Sequence, residues 1–73
     1  MLIEHEDCVV NLENVFNFYK NNYSFFSIEL ITCFLENPIS FRFNTIEERD
    51  KAYEKIIESY RWQRLHVKLD ENG

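Results

Sequence analysis

The side chains of this sequence that could do chemistry are two histidines, His5 and His66, two cysteines, Cys8 and Cys33, and carboxylates that fall in neighbouring pairs. A metal centre needs several ligands at short, regular spacing, as in C-x-x-C, H-x-x-x-H or the alternating acids of a calcium loop. Glu4-His5-Glu6-Asp7-Cys8 is dense in donors, yet it contains none of these orders, and His66 stands at the far end of the chain. The run reads as a solvated acidic turn and His66 as a surface histidine. Nucleophilic catalysis asks for a nucleophile, a base and an orienting group held together. Either cysteine beside either histidine supplies two of the three, but no local signature joins them. Glu47 and Glu48 fall where a helix should begin, and Glu54 and Glu58 on the face of that helix, so capping and solvation account for both pairs. Phosphate cradles need glycine, and the one glycine is Gly73. These residues lead to the expectation of a non-enzymatic protein with no cofactor, no metal and no small-molecule substrate.

Composition narrows the class further. Seventy-three residues make a single small domain, residues 1–73, with residues 70–73 expected to fray. Hydrophobic residues at 45% and aromatic residues at 16% place it among folded chains rather than disordered tails. The formal charge of −5 is uneven: residues 1–36 carry six acids and one base, residues 37–73 seven of each. A broad electropositive face is not expected, which weighs against duplex nucleic acid. The local basic stretch of Arg61, Arg64 and Lys68 reads as the solvated end of a helix. Two cysteines are too few for a disulfide framework, the first residues do not resemble a secretion signal, and no stretch is long and apolar enough to span a bilayer. The expectation is a cytoplasmic protein with reduced thiols and no membrane contact.

The elements that must position these residues follow from periodicity. Leu2-Ile3 and Cys8-Val9-Val10 are short β-capable pieces. Val15 to Lys20 has strand propensity, with Phe16 and Phe18 on one face and Val15, Asn17 and Tyr19 on the other. Asn21-Asn22 is the strongest turn signal, because asparagine tolerates the left-handed backbone of tight hairpins. Phe25 to Leu35 is the longest β-run: Phe26, Ile28 and Leu30 line one face, and Phe25, Ser27, Glu29 and Ile31 the other. Pro38 ends that run and opens the next strand. There Ile39, Phe41 and Phe43 alternate cleanly with Ser40, Arg42 and Asn44. Thr45-Ile46-Glu47-Glu48 is a capping box. The spacing of Ala52, Tyr53, Ile56, Ile57 and Tyr60, with Ile46 and Arg49 on the same side, predicts an amphipathic helix from Ile46 to about Arg61. Leu65, Val67 and Leu69 then alternate with basic residues, a pattern that fits either an extra edge strand or a tail laid on the core. The expected fold class is α+β: a small antiparallel sheet of three to five strands, packed on one face by a single C-terminal amphipathic helix.

One helix shields only one face of a sheet, and large apolar surface left bare in a monomer is unusual. The expected interaction surface comprises Val15, Tyr19, Phe25, Ile31 and Arg42 on the uncovered face, with Leu65 and Val67 on a possible edge strand. The partner expected is a second copy or another protein, bound through that face or by pairing at a strand edge. The alternative is single-stranded nucleic acid, with Tyr19, Tyr23 and Phe25 stacking on bases and Lys20 and Arg42 holding the backbone. Glu29 and the acidic first half count against it.

Overall fold

The computed structural model describes residues 1–23, 25–62 and 64–69; the frayed tail expected at residues 70–73 lies outside them. Its class is α+β, as the sequence indicates, with the strands divided between two three-stranded sheets. In the first, β1 (Leu2–His5) is central, flanked by β2 (Cys8–Asn11) and by a strand from beyond the helix. A short 3-10 turn, Leu12–Asn14, leads into the second sheet. There β3 (Val15–Asn21), β4 (Phe26–Thr32) and β5 (Ile39–Phe43) form an antiparallel meander with β4 in the middle. The helix α1 (Ile46–Arg61) follows, and then β6 (His66–Lys68).

The Leu65–Leu69 alternation becomes that edge strand. β6 pairs parallel to β1, with Ile3 opposite Val67, while β2 pairs antiparallel on the other side, with Ile3 opposite Val10. All three of these side chains are buried. The parallel pairing distinguishes the first sheet from the wholly antiparallel arrangement read from the sequence. It is possible because α1 lies between the two strands in the chain, and parallel neighbours require such a crossover. One core cluster draws on both sheets and the helix: Ile3 and Val67 from the first, Ile28, Leu30 and Phe41 from the second, Ile56 from α1.

The hairpin β1–β2 turns in two residues, Glu6 and Asp7, with φ of 47° and 66°. Two consecutive left-handed residues are the pattern of a type I′ turn, which suits the twist of paired strands and ordinarily recruits Asn-Gly. Glu and Asp carry the Cβ penalty instead. Among the described residues these are the only ones with positive φ. Asn21-Asn22 makes a different turn: β4 starts only at Phe26, and the Asn21 side chain accepts the Tyr23 N–H at 3.0 Å. The asparagine therefore supplies a local acceptor rather than a left-handed backbone.

Arg49 fixes this second hairpin to the helix. Its buried guanidinium donates to the Asn21 carbonyl at 3.1 Å, to the Asn22 side chain and to Asp50 at 2.9 Å. It shares the buried face of α1 with Ala52, Ile56 and Ser59, whereas Tyr60, expected on that face, is exposed. At the helix start, Thr45 Oγ1 accepts the Glu48 N–H at 3.1 Å, and the Glu48 carboxylate reaches back to the Asn44 N–H at 3.3 Å. The capping box is formed with its return bond displaced by one residue.

Two outcomes follow. Asp7→Gly relieves one left-handed residue and raises stability by about 0.5–1 kcal/mol, after the added freedom of the unfolded chain is allowed for; a rise in the urea midpoint at unchanged m-value checks it. Arg49→Met leaves the Asn21 carbonyl without its donor and lowers stability by about 2 kcal/mol. Arg49→Lys, which keeps the charge but loses the fork, falls between. Equal stability of wild type and Arg49→Met would show that the guanidinium does not hold the hairpin.

Candidate interaction surface

The groups with chemical potential are dispersed. His5, expected in a solvated turn, lies within β1 and is 5% exposed. Its Nε2 bonds to the Arg42 carbonyl at 2.8 Å, and its ring packs on Phe43 at 4.4 Å between centroids. A carbonyl only accepts, so Nε2 carries a proton, and Nδ1 is buried with no hydrogen-bond partner among the described residues. The ring works as a strap between the two sheets. His66 projects from the opposite face of the first sheet, where Glu4 meets its Nε2 at 3.0 Å and the Lys68 ammonium at 3.8 Å. Cys8 and Cys33 are free and exposed. Among the described residues no three His, Cys, Asp or Glu side chains gather as a metal site would require. No helix is long and apolar enough to cross a membrane.

The surface residues expected from the sequence separate. Register places Asn17, Tyr19 and Asn21 of β3 beside Ile31, Glu29 and Ser27 of β4, with Ser40 and Arg42 of β5 beyond. Tyr19, Ile31 and Arg42 therefore share the outer face of the second sheet, and Arg42 brings Phe25 to it by laying its guanidinium over that ring at 4.0 Å. Val15 does not belong there. A register shift between Val15 and Asn17 sets Val15 opposite Thr32, on the core side, and packs it against the core. Val67 is buried in the core and is not part of any surface. Leu65 is exposed, but away from this face, beside the end of α1.

The outer face is polar at its centre, which removes the apolar patch on which the expected partner surface was based. Glu29 accepts from Ser27 at 3.2 Å, Ser40 at 3.2 Å and Asn21 at 3.3 Å. Ser27 itself is buried in this network. All three bonds fall on Oε1, so this carboxylate oxygen is satisfied within the sheet. Among the described residues, three of the four edge strands are blunted as well. β2 and β6 have four and three residues, and the free edge of β3 is broken by its register shift, both devices that discourage strand addition.

A cluster of exposed apolar side chains lies elsewhere, in an open groove between the start of β3 and the end of α1. Its floor includes Leu12, Val15, Phe18 and Ile57. Phe16, thrown outward at the register shift, stands on one wall and is 68% exposed. Tyr60 and Leu65 stand on the other, 70% and 85% exposed. Leu65 is not on a slack tail: its carbonyl accepts the Leu2 N–H at 2.8 Å, and the N–H of Arg64 before it donates to the Ser59 carbonyl at 3.0 Å. The backbone is thus fixed while the side chain is held in water. Sequence pattern assigned Phe16 to the core with Phe18, and only the extra residue in the ladder reverses it. Tyr60 ends the helical stripe and Leu65 opens the strand alternation, and each proves to overhang the core.

No protein-family model, curated protein or solved structure matches this chain.

Glu29→Ala is expected to lower stability by about 1 kcal/mol, through the loss of three long, part-exposed hydrogen bonds. It should leave the sedimentation behaviour of the protein unchanged, because the outer face is complete in itself. A change in association state on this substitution would return that face to consideration.

Proposed function

We propose that this chain is a small non-enzymatic protein–protein interaction module, and that its contact surface is the groove between β3 and the end of α1. The observation that carries the reading is the backbone-anchored, exposed Leu65, with Tyr60 on its own wall, facing an exposed Phe16 across an apolar floor. Apolar side chains left in water at a fixed geometry bind with little ordering cost, which is what makes an anchor effective. Tyrosine and arginine are enriched at protein contacts, and Tyr60, Arg61 and Arg64 line this groove. The free strand edges and the polar sheet face support binding less well.

Single-stranded nucleic acid is the less favoured partner. Lys20, needed to hold a backbone beside Tyr19, turns to the helix side, 3.7 Å from Asp50 and 5.0 Å from the Tyr53 ring centre. Arg42 is stacked on Phe25 above the Glu29 carboxylate's sheet face.

Site-specific photocrosslinking inside cells tests the proposal. A benzophenone amino acid in place of Leu65 is expected to give protein adducts resolved by mass, and the same residue in place of Glu29 to give few. Equal adduct formation from both positions, or none from position 65, overturns the assignment of the groove.

A further inference from the structure

The charges around the groove differ between its two walls. Glu13, in the 3-10 turn beside β3, lies on the Phe16 side; Arg61 and Arg64 lie on the Tyr60 and Leu65 side. All three are exposed, and none takes part in an ion pair among the described residues. A surface with an apolar centre, an anion on one wall and cations on the other is complementary to itself. In a closed two-fold pair the same patch meets its own copy. A two-fold axis running along the groove brings the Glu13 wall of each protomer against the Arg61 and Arg64 wall of its partner, and sets the Phe16 side of one against the Leu65 side of the other.

We infer that the occupant of the groove is a second copy of this chain, joined in an isologous dimer in which Glu13 pairs with Arg61 and Arg64 of the partner. The inference rests on the groove being the contact surface and adds what fills it. Area is consistent with this. Phe16, Tyr60 and Leu65 together offer on the order of 400 Å² of exposed side chain, about half of the roughly 800 Å² that each partner of a stable complex contributes. The groove walls and the charged rim lie around that centre. An acidic partner of another kind would meet Arg61 and Arg64 favourably but Glu13 unfavourably, whereas a second copy satisfies both signs. The chain's net charge of −5 opposes its own association, so the dimer is expected to tighten as salt rises from very low to moderate values, as long-range repulsion is screened first.

A charge-swap experiment tests this. Sedimentation equilibrium of the full chain from low to high micromolar concentration is expected to show a monomer–dimer equilibrium. Glu13→Arg sets like charges against each other at both contacts of the dimer, and so does Arg61→Glu/Arg64→Glu; each alone is expected to weaken dimerisation at least tenfold. Mixing the two restores opposite charges at both contacts, and the mixture is expected to form a heterodimer near wild-type strength. That recovery also shows that both variants fold. Leu65→Ser is expected to abolish the pair in either background. A wild-type chain that stays monomeric at high micromolar concentration overturns the second-copy inference, and adducts from position 65 to a different protein would then leave the interaction reading in place. A dimer indifferent to both charge swaps and to Leu65→Ser overturns the inference and the groove together.

Discussion

The structure depends on the double pairing of β1. Ile3 is held between Val10 of one neighbour and Val67 of the other, and it is fully buried. Without β6, the first sheet would be a two-stranded hairpin, an element of marginal stability in water. With β6 it becomes a three-stranded layer that can close a core against the second sheet and α1. The Leu2–Leu65 and Glu4–Leu69 backbone bonds, at 2.8 and 2.7 Å, continue the ladder beyond β6 at both ends. Lys55 adds a tie from α1 to the Lys68 carbonyl at 2.7 Å. The same pairing that completes the core therefore fixes the position of Leu65, so the exposed side of the molecule inherits the rigidity of the buried side.

A small domain has few ways to leave apolar surface uncovered. Here the outer face of the second sheet is closed by polar chemistry: Glu29 and its three donors make a layer content with water. The extra residue in β3 has the opposite effect. By turning Val15 inward it fills the core, and by turning Phe16 outward it creates one wall of a groove. One irregularity thus serves both packing and surface. Its position beside the free edge also interrupts the row of backbone groups that would invite another strand.

The parts legible in the sequence are those governed by local chemistry. The alternation from Ile39 to Phe43 after Pro38 gives a strand with those bounds, and Thr45 with Glu48 gives the helix start. The α+β class followed from these and from the long run through Ile28 and Leu30. What the residues did not disclose depended on contacts across the chain. β1 carries Glu4 and His5, and nothing local says that His5 points inward; its burial relies on the Arg42 carbonyl and the Phe43 ring. The parallel partner of β1 lies beyond the helix. Arg49 sits on the apolar side of α1 because a hairpin from elsewhere presents it with acceptors. For the candidate surface, Tyr19, Ile31 and Arg42 share a face as the alternation implies. That face is more polar than the alternation implies, because Glu29 gathers three donors at its centre and a register shift turns Val15 to the core.

The closure of β1 by β6 also has a bearing on how the molecule is made. The residues that complete the first sheet leave the ribosome after everything between them and Leu2 has been synthesised. The meander β3–β5 has only neighbouring strands to pair and can form as it emerges, but Ile3 must wait for Val67. Pairings so distant along the chain are slow to form, and until they do, the N-terminal hairpin shows its apolar face to its surroundings. Completion of the core and delivery of Leu65 to the surface are then a single, late event in folding, so a chain whose core is unfinished also lacks one wall of its groove.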